Sequence, residues 1–171
     1  MAVKEVRKIG DPVLREKSKK VKKIDESVMQ LVRDLTDTLK ETGGVGMAAP
    51  QIGITRRVLI VNVDNKIHVF INPEIEVLDD QKIKSDEGCL SIYSIKDFNV
   101  KRFSKVKVRA KNLKWKDVEV VAEGLLARIF QHEIDHLNGV LFMDHLDRKS
   151  KQELLSRVND IKLNICDRGS I

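Results

Sequence analysis

Apolar residues recur at helical spacing at Leu125, Leu126, Ile129 and Phe130, and the run continues through Gln131-His132-Glu133-Ile134-Asp135-His136 to Asn138-Gly139. No other stretch constrains the fold as tightly. Residues four apart on a helix share one face, about one turn apart, so His132 and His136 turn their imidazoles toward one point. The surrounding helix is apolar enough to be buried, and a buried imidazole needs partners for its ring nitrogens. A single metal ion serves both histidines more simply than separate partners do. Glu133 lies roughly 100° round the helix, poorly placed as a third ligand but well placed to take a proton from water at the metal. The pattern alone also fits two solvated histidines on an amphipathic helix, so the rest of the chain must decide.

A length of 171 residues suits one domain, taken as 1–171, with a core of its own. At 42% apolar and 34% charged the composition is that of a globular chain. No apolar run approaches the roughly 20 residues needed to span a bilayer, and the charged start Met1-Ala2-Val3-Lys4-Glu5-Val6-Arg7 lacks the apolar stretch of a secretory signal. The expectation is a cytoplasmic protein with no membrane partner. Its 32 Lys and Arg against 26 Asp and Glu leave a net charge of +6, which steers polyanions without establishing nucleic-acid binding. Bases and acids are interspersed, and 4% aromatics offer no stacking platform, so no DNA partner is expected. The densest basic cluster, Arg15 to Lys23, reads as a solvated loop, with contact to RNA as the alternative. A disulfide between Cys89 and Cys166 is disfavoured in a reducing compartment, and Cys166 reads as a thiol without a role.

Asp11-Pro12 predicts a short helix with proline in its first turn. Asp25 predicts the cap of a longer one, carried by Val28, Leu31, Val32, Leu35 and Leu39 and ended by Gly43-Gly44. The period then changes. Residues 57–63 and 66–72 predict strands joined by an Asp64-Asn65 hairpin turn. Residues 74–78 predict a further strand, stopped by a polar turn at Asp79-Asp80. Residues 105–110 and 117–122 alternate charged and small apolar side chains, as half-exposed strands do. Ser150-Lys151-Gln152-Glu153 reads as the capping box of a last amphipathic helix. The succession argues for an α+β fold, antiparallel sheets packed around a central helix that carries the histidines, with a C-terminal helix.

A catalytic zinc-type site needs a third protein ligand and an open position. The choices are His68, His145, Cys89 or an acid. Cys89 sits in Glu87-Gly88-Cys89-Leu90-Ser91, where the glycine allows close backbone approach, and a thiolate binds first-row metals strongly. Glu87 and Asp135, acids beside these residues, are candidates to fix ligand geometry through hydrogen bonds, with Arg102 as their counter-ion.

Three segments together resemble the peptide deformylase family: Gly44-Val45-Gly46-Met47-Ala48-Ala49-Pro50-Gln51, Glu87-Gly88-Cys89-Leu90-Ser91, and Gln131-His132-Glu133-Ile134-Asp135-His136. They keep the family's order, and the likeness extends to Gly124-Leu125-Leu126-Ala127 and to Gly139-Val140-Leu141-Phe142-Met143-Asp144. The family removes the formyl group from N-formylmethionine on new bacterial-type proteins, releasing formate. The resemblance implies that Cys89, His132 and His136 hold one divalent metal ion and that Glu133 is general base and then acid. It implies that Gln51 and the Leu90 N–H bind the formyl oxygen, that Gly46 and neighbouring backbone groups align the peptide as an added strand, and that Gly88 is a further substrate-binding residue. Val45, Leu125 and Ile129 are expected in the methionine pocket, although Leu125 and Ile129 fit ordinary core packing equally well. Fe(2+) is the expected metal in the cell, with Zn(2+) or Ni(2+) as other occupants. N-formylmethionyl nascent peptides are the expected partners, together with the ribosome through the last helix, where Lys149, Lys151, Arg157 and Lys162 lie.

Two departures stand out. Tyr93 replaces a common proline, in a slightly longer segment 93–98, and the charged Arg128 falls where some members have an apolar pocket residue. Arg128 is expected to point outward or to line the pocket mouth. The rival readings are a metallopeptidase of the H-E-x-x-H type, which usually recruits a carboxylate or third histidine, and a structural zinc module binding RNA or the ribosome, which has no use for Glu133.

Overall fold

In the computed structural model, which describes residues 2–168, the helix caps fall largely where the sequence puts them. Asp11 accepts from the Val13 N–H at 3.0 Å and opens a 3-10 turn over Pro12–Arg15. Asp25 accepts from the Val28 N–H at 3.0 Å and opens α1, Glu26–Thr42, which ends on Gly43 at φ 67°. That left-handed φ suits glycine because it has no Cβ. Between these elements the Arg15–Lys23 segment runs as a loop. Its lysines are exposed, Ser18 and Val21 turn inward, and the Ser18 N–H donates to the Leu137 carbonyl at 2.8 Å.

Five antiparallel strands form one sheet in chain order: β1 Gly46–Ala48, β2 Val58–Val63, β3 Lys66–Glu87, β4 Phe98–Lys111 and β5 Asp117–Glu123. The β2–β3 turn is the expected hairpin, with Asp64 and Asn65 at φ 50° and 61°, the positive pair that a two-residue turn of right-handed twist demands. β2 is buried on both faces. Val58 and Ile60 pack toward α1 with Leu31, Leu35 and Met47, whereas Leu59 and Val61 pack toward α2, Gly124–Leu137, with Phe130, Ile134 and Leu137. The sheet thus lies between α1 and α2, and the α+β expectation holds.

One expected turn is absent. Asp79-Asp80 does not end a strand; β3 runs on through it, paired with β4 as far as Glu87↔Phe98, with register shifts at Val77/Asp79 and Asp79/Lys82. The polar pair marks bulges that twist a strand open on its other edge, and so carries the chain onward to Cys89. The charge alternation in β4 and β5 becomes cross-strand pairing: Lys105–Glu123 at 2.7 Å, Arg109–Glu119 at 2.9 Å and Lys111–Asp117 at 2.8 Å. At the last helix, α3, Arg148–Arg168, the capping-box reading fails. Asp147 accepts from the Ser150 N–H at 2.8 Å, so the cap is Asp147 and Ser150 already lies inside the first turn. α3 buries Leu154 and Val158 against Leu14, Leu141 and Phe142. Among the described residues no helix is long and apolar enough to cross a membrane.

Candidate active site

Three elements meet at one point. α2 supplies His132, Glu133 and His136, all buried. The end of β3 supplies Glu87 and delivers Cys89 to a 3-10 turn over Leu90–Ile92, where the Cys89 carbonyl accepts from the Ile92 and Ser94 N–H groups at 3.0 Å each. The turn following β1 supplies Gln51, 2% exposed.

Cys89 Sγ lies 3.3 Å from His136 Nε2, which lies 3.2 Å from His132 Nε2. The three ligand atoms all lie within 4.8 Å of one another. His132 Nδ1 meets Glu87 Oε1 at 2.5 Å. A carboxylate there fixes the proton on Nδ1 and leaves the Nε2 lone pair facing Cys89. Burial pushes the Cys89 thiol up, but His136 and His132 beside it pull it well below a thiol's ordinary value. A thiolate and two imidazole lone pairs converging in a buried space repel one another unless a cation sits between them. The donor set therefore fits a first-row metal ion of the kind that takes sulfur and nitrogen ligands. The other third-ligand choices lie elsewhere. His68 is in mid-strand opposite Val61, and His145 pairs with Asp135 at 2.8 Å.

Glu87 anchors this arrangement. Oε1 also accepts from Arg102 Nη2 at 2.6 Å, while Oε2 accepts from Arg102 Nε at 3.1 Å and Arg128 Nη1 at 3.0 Å. Burial works against the Glu87 charge, but the bonds from His132 and Arg102 hold its carboxyl far below the usual carboxylate range. Arg102 continues to Asp135 Oδ2 at 2.5 Å. Glu87 thus orients His132 directly, Asp135 steadies Arg102 behind it, and Arg102 pairs with both acids.

Glu133 has a different environment. Its Oε2 is buried without a hydrogen-bond partner, and burial pushes its carboxyl above the ordinary value. It faces Gly46, where a Cβ would fall 2.8 Å from Glu133 Oε1 and 3.0 Å from Ile129 Cγ2. Gln51 is oriented by the Ala48 N–H, which donates to its Oε1 at 2.9 Å; its Nε2 then points at Cys89 Sγ, 3.6 Å away, and at Ser91 Oγ, 3.4 Å away.

A cavity of about 480 Å³ opens on this centre, and its wall includes Val45, Gly46, Gly88, Leu90, Leu125 and Ile129. The structure thus brings every expected site residue to one cavity except His136, which lies beneath its wall. Of the two places expected for Arg128, outward or at the pocket mouth, the structure gives the pocket side: it lies in the cavity wall, deeper than the mouth. It does not point outward: it is 9% exposed and also donates to the carbonyls of Val100 at 3.0 Å and Ile83 at 2.7 Å. Three acceptors hold the guanidinium inside, which a helical position beside the apolar face did not disclose. The sequence reading also missed Lys8, whose Nζ donates to the Leu90 carbonyl at 2.6 Å and lies 5.4 Å from the Tyr93 ring centre. It comes from 82 residues away in the chain, and no local pattern announces it.

A buried Cys-His-His centre with an unpartnered carboxylate beside it, opening on a peptide-sized cavity, defines a metal-dependent hydrolase with a cysteine among its ligands. The chain belongs to the polypeptide deformylase family, whose family model matches residues 3–152. It is 47% identical over 149 residues to the peptide deformylase of Clostridium botulinum, covering 87% of this chain and all of that one. A crystal structure of a peptide deformylase from Legionella pneumophila superposes with a TM-score of 0.90 at 36% identity, over 96% of this chain and 98% of that one. One from Synechococcus elongatus in complex with actinonin does so with a TM-score of 0.84 at 38% identity, over 90% and 85%. The chain is a metal-dependent enzyme that removes the N-formyl group from newly synthesised polypeptides, releasing formate.

Proposed function

We propose that Cys89 Sγ and the Nε2 atoms of His132 and His136 hold the metal, that the metal in the cell is Fe(2+), and that Zn(2+) or Ni(2+) are other occupants. When bound, such an ion makes water acidic enough to ionise near neutral pH. Glu133, kept basic yet buried, accepts a proton from the attacking water and passes it to the departing amine. Gln51 Nε2 and the Leu90 N–H donate to the formyl oxygen as it gains charge. Leu90 opens its 3-10 turn, and the first N–H of a helical turn has no acceptor within it. The peptide backbone aligns along the open edges of β1 and β3 beside Gly46 and Gly88, and Val45, Leu125 and Ile129 receive the methionine side chain. We take the chain to work as one catalytic domain in the cytoplasm on formylmethionyl nascent chains, with α3 as a ribosome contact.

The observation that carries this reading is the unpartnered Glu133 Oε2 beside three converging ligand atoms. A structural zinc module has no use for that carboxylate, and a metallopeptidase has no formyl requirement. The test is hydrolysis of a formyl-Met tripeptide by anaerobically prepared, iron-loaded protein, with Glu133→Ala alongside. Wild type is expected to release formate, and the variant to keep its metal and lose turnover. An active Glu133→Ala would remove the assigned base, and equal cleavage of unformylated peptides would favour the metallopeptidase.

A further inference from the structure

Arg128 stands between two cavities. The larger is the substrate cavity of about 480 Å³; the second, about 240 Å³, is a surface hollow on the other side of Arg128, with the exposed Ser85 and Gly124 and the half-buried Phe103 and Ser104 in its wall. Asp86, Leu125 and Arg128 belong to both walls. Asp86 is exposed and Leu125 is 68% exposed, so those two form the rims, whereas Arg128 at 9% divides the cavities at depth. Its guanidinium is fixed by Glu87 Oε2 and the Val100 and Ile83 carbonyls. Swinging it aside would strip hydrogen bonds from a buried charge, which is strongly disfavoured. The partition is therefore static. The hollow beyond it has polar residues in its wall, Ser85 and Ser104 among them, and the Ser104 hydroxyl is buried at its side without a hydrogen-bond partner.

We propose that Arg128 sets the depth of the pocket for the substrate's first side chain, and that the hollow on its other side is an extension of that pocket, kept separate from it by the guanidinium. This rests on the proposed placement of that side chain beside Leu125 and Ile129. The extension suits a long, neutral, hydrogen-bonding side chain, one able to donate to Glu87 Oε2 where Arg128 does and to engage Ser104. Wild type excludes such a chain by occupying its place, which makes Arg128 a specificity-determining residue of the reaction.

The test compares formyl-Met and formyl-citrulline tripeptides with iron-loaded wild type, R128A and R128M. Citrulline has the length of arginine and urea N–H donors but no charge. R128A is expected to raise the citrulline-to-Met ratio of kcat/KM about 10-fold or more, through KM. R128M refills the space without the anchors; it should lower both activities together and hold the ratio within about twofold. If R128A does not fold, R128Q, shorter than arginine and still able to donate to the two carbonyls, should move the ratio the same way by less. An unchanged ratio in R128A or R128Q that still turns over formyl-Met overturns the partition, as does a shift in R128M equal to that in R128A. Absence of formyl-Met turnover by wild type would instead bring down the site reading beneath it.

Discussion

The two sides of the candidate site are built differently. On the His132 side every charge has its partner: Glu87 accepts four hydrogen bonds, and Arg102 ties it to Asp135 and so to His145. On the Glu133 side a polar group is left over, with Glu133 Oε2 buried and without a partner, and Gly46 has no room for a side chain. Buried polar atoms normally find partners, so the exceptions mark where a structure gives up stability for chemistry. The first side holds the ligands still, and the second waits for substrate.

The largest expected effect separates these roles. Glu133→Gln keeps the shape and removes the charge that has no partner. Turnover should fall about 10⁴-fold, the upper range for loss of a general acid–base group, while the melting temperature stays level or rises. Rates and thermal unfolding on the same metal-loaded samples check this; a marked fall in melting temperature would mean that Glu133 is structural after all. Glu87→Gln is the converse. It withdraws the negative charge from a buried cluster of two arginines and should destabilise the fold by about 3–5 kcal/mol, as breaking a buried ion pair does. Metal affinity should drop about 10- to 100-fold as His132 loses its orienting acceptor. Denaturant unfolding and competition with a chelator measure the two; unchanged values in both would show that Arg102 and Arg128 find other partners. Gly46→Ala acts on the open side alone. Its Cβ would displace Glu133 Oε1 or Ile129, so kcat/KM should fall about 100-fold, the scale of an ångström-size misplacement of a catalytic group, with little change in unfolding. Activity close to wild type would show that β1 gives way instead.

The same contrast explains what was legible in the sequence. The Glu133 side is a matter of local spacing, because helical periodicity alone turns His132 and His136 one way and Glu133 another. The Asp25 cap and the Asp64-Asn65 turn are local in the same sense. The His132 side is assembled from afar: Glu87 and Arg102 are 15 residues apart, and Glu87 and Arg128 are 41 apart. Sequence could offer those residues as candidates without showing which pairs form, and it left Arg128 between pointing outward and lining the pocket mouth because a helix position does not reveal three acceptors waiting inside. Asp79-Asp80 misled for a related reason. Its turn chemistry is real, but continuous pairing with β4 overrides it and converts a stop into bulges. At α3 the sequence points to Ser150, and the hydrogen bond of 2.8 Å from the Ser150 N–H to Asp147 Oδ1 moves the cap to Asp147, which the capping-box pattern passes over.

The smallest effect calibrates the buried cluster against an ion pair near the surface. Asp144 accepts from Arg15 Nη1 at 2.6 Å and Nη2 at 3.2 Å, and from the Leu141 N–H at 3.0 Å, tying the loop after α2 to the first 3-10 turn. Partial burial opposes its charge, but Arg15 and the Leu141 N–H prevail and hold the carboxyl below its ordinary value. A carboxyl depressed on folding adds stability that is fully present above its unfolded pKa, near 3.9, and is lost as pH falls through the folded value. With the Arg15 side chain 46% and the Asp144 side chain 28% exposed, solvent screens the pair. Asp144→Asn should therefore cost only about 0.5–1 kcal/mol at pH 7, several times less than Glu87→Gln. Denaturant unfolding of wild type and variant from pH 7 down toward 3 checks the sign, because the gap between them should close as Asp144 takes up its proton. A gap of constant size across that range would trace the stabilisation to the shape of the cap, and the graded contrast between buried and exposed charge would then have to rest on Glu87 alone.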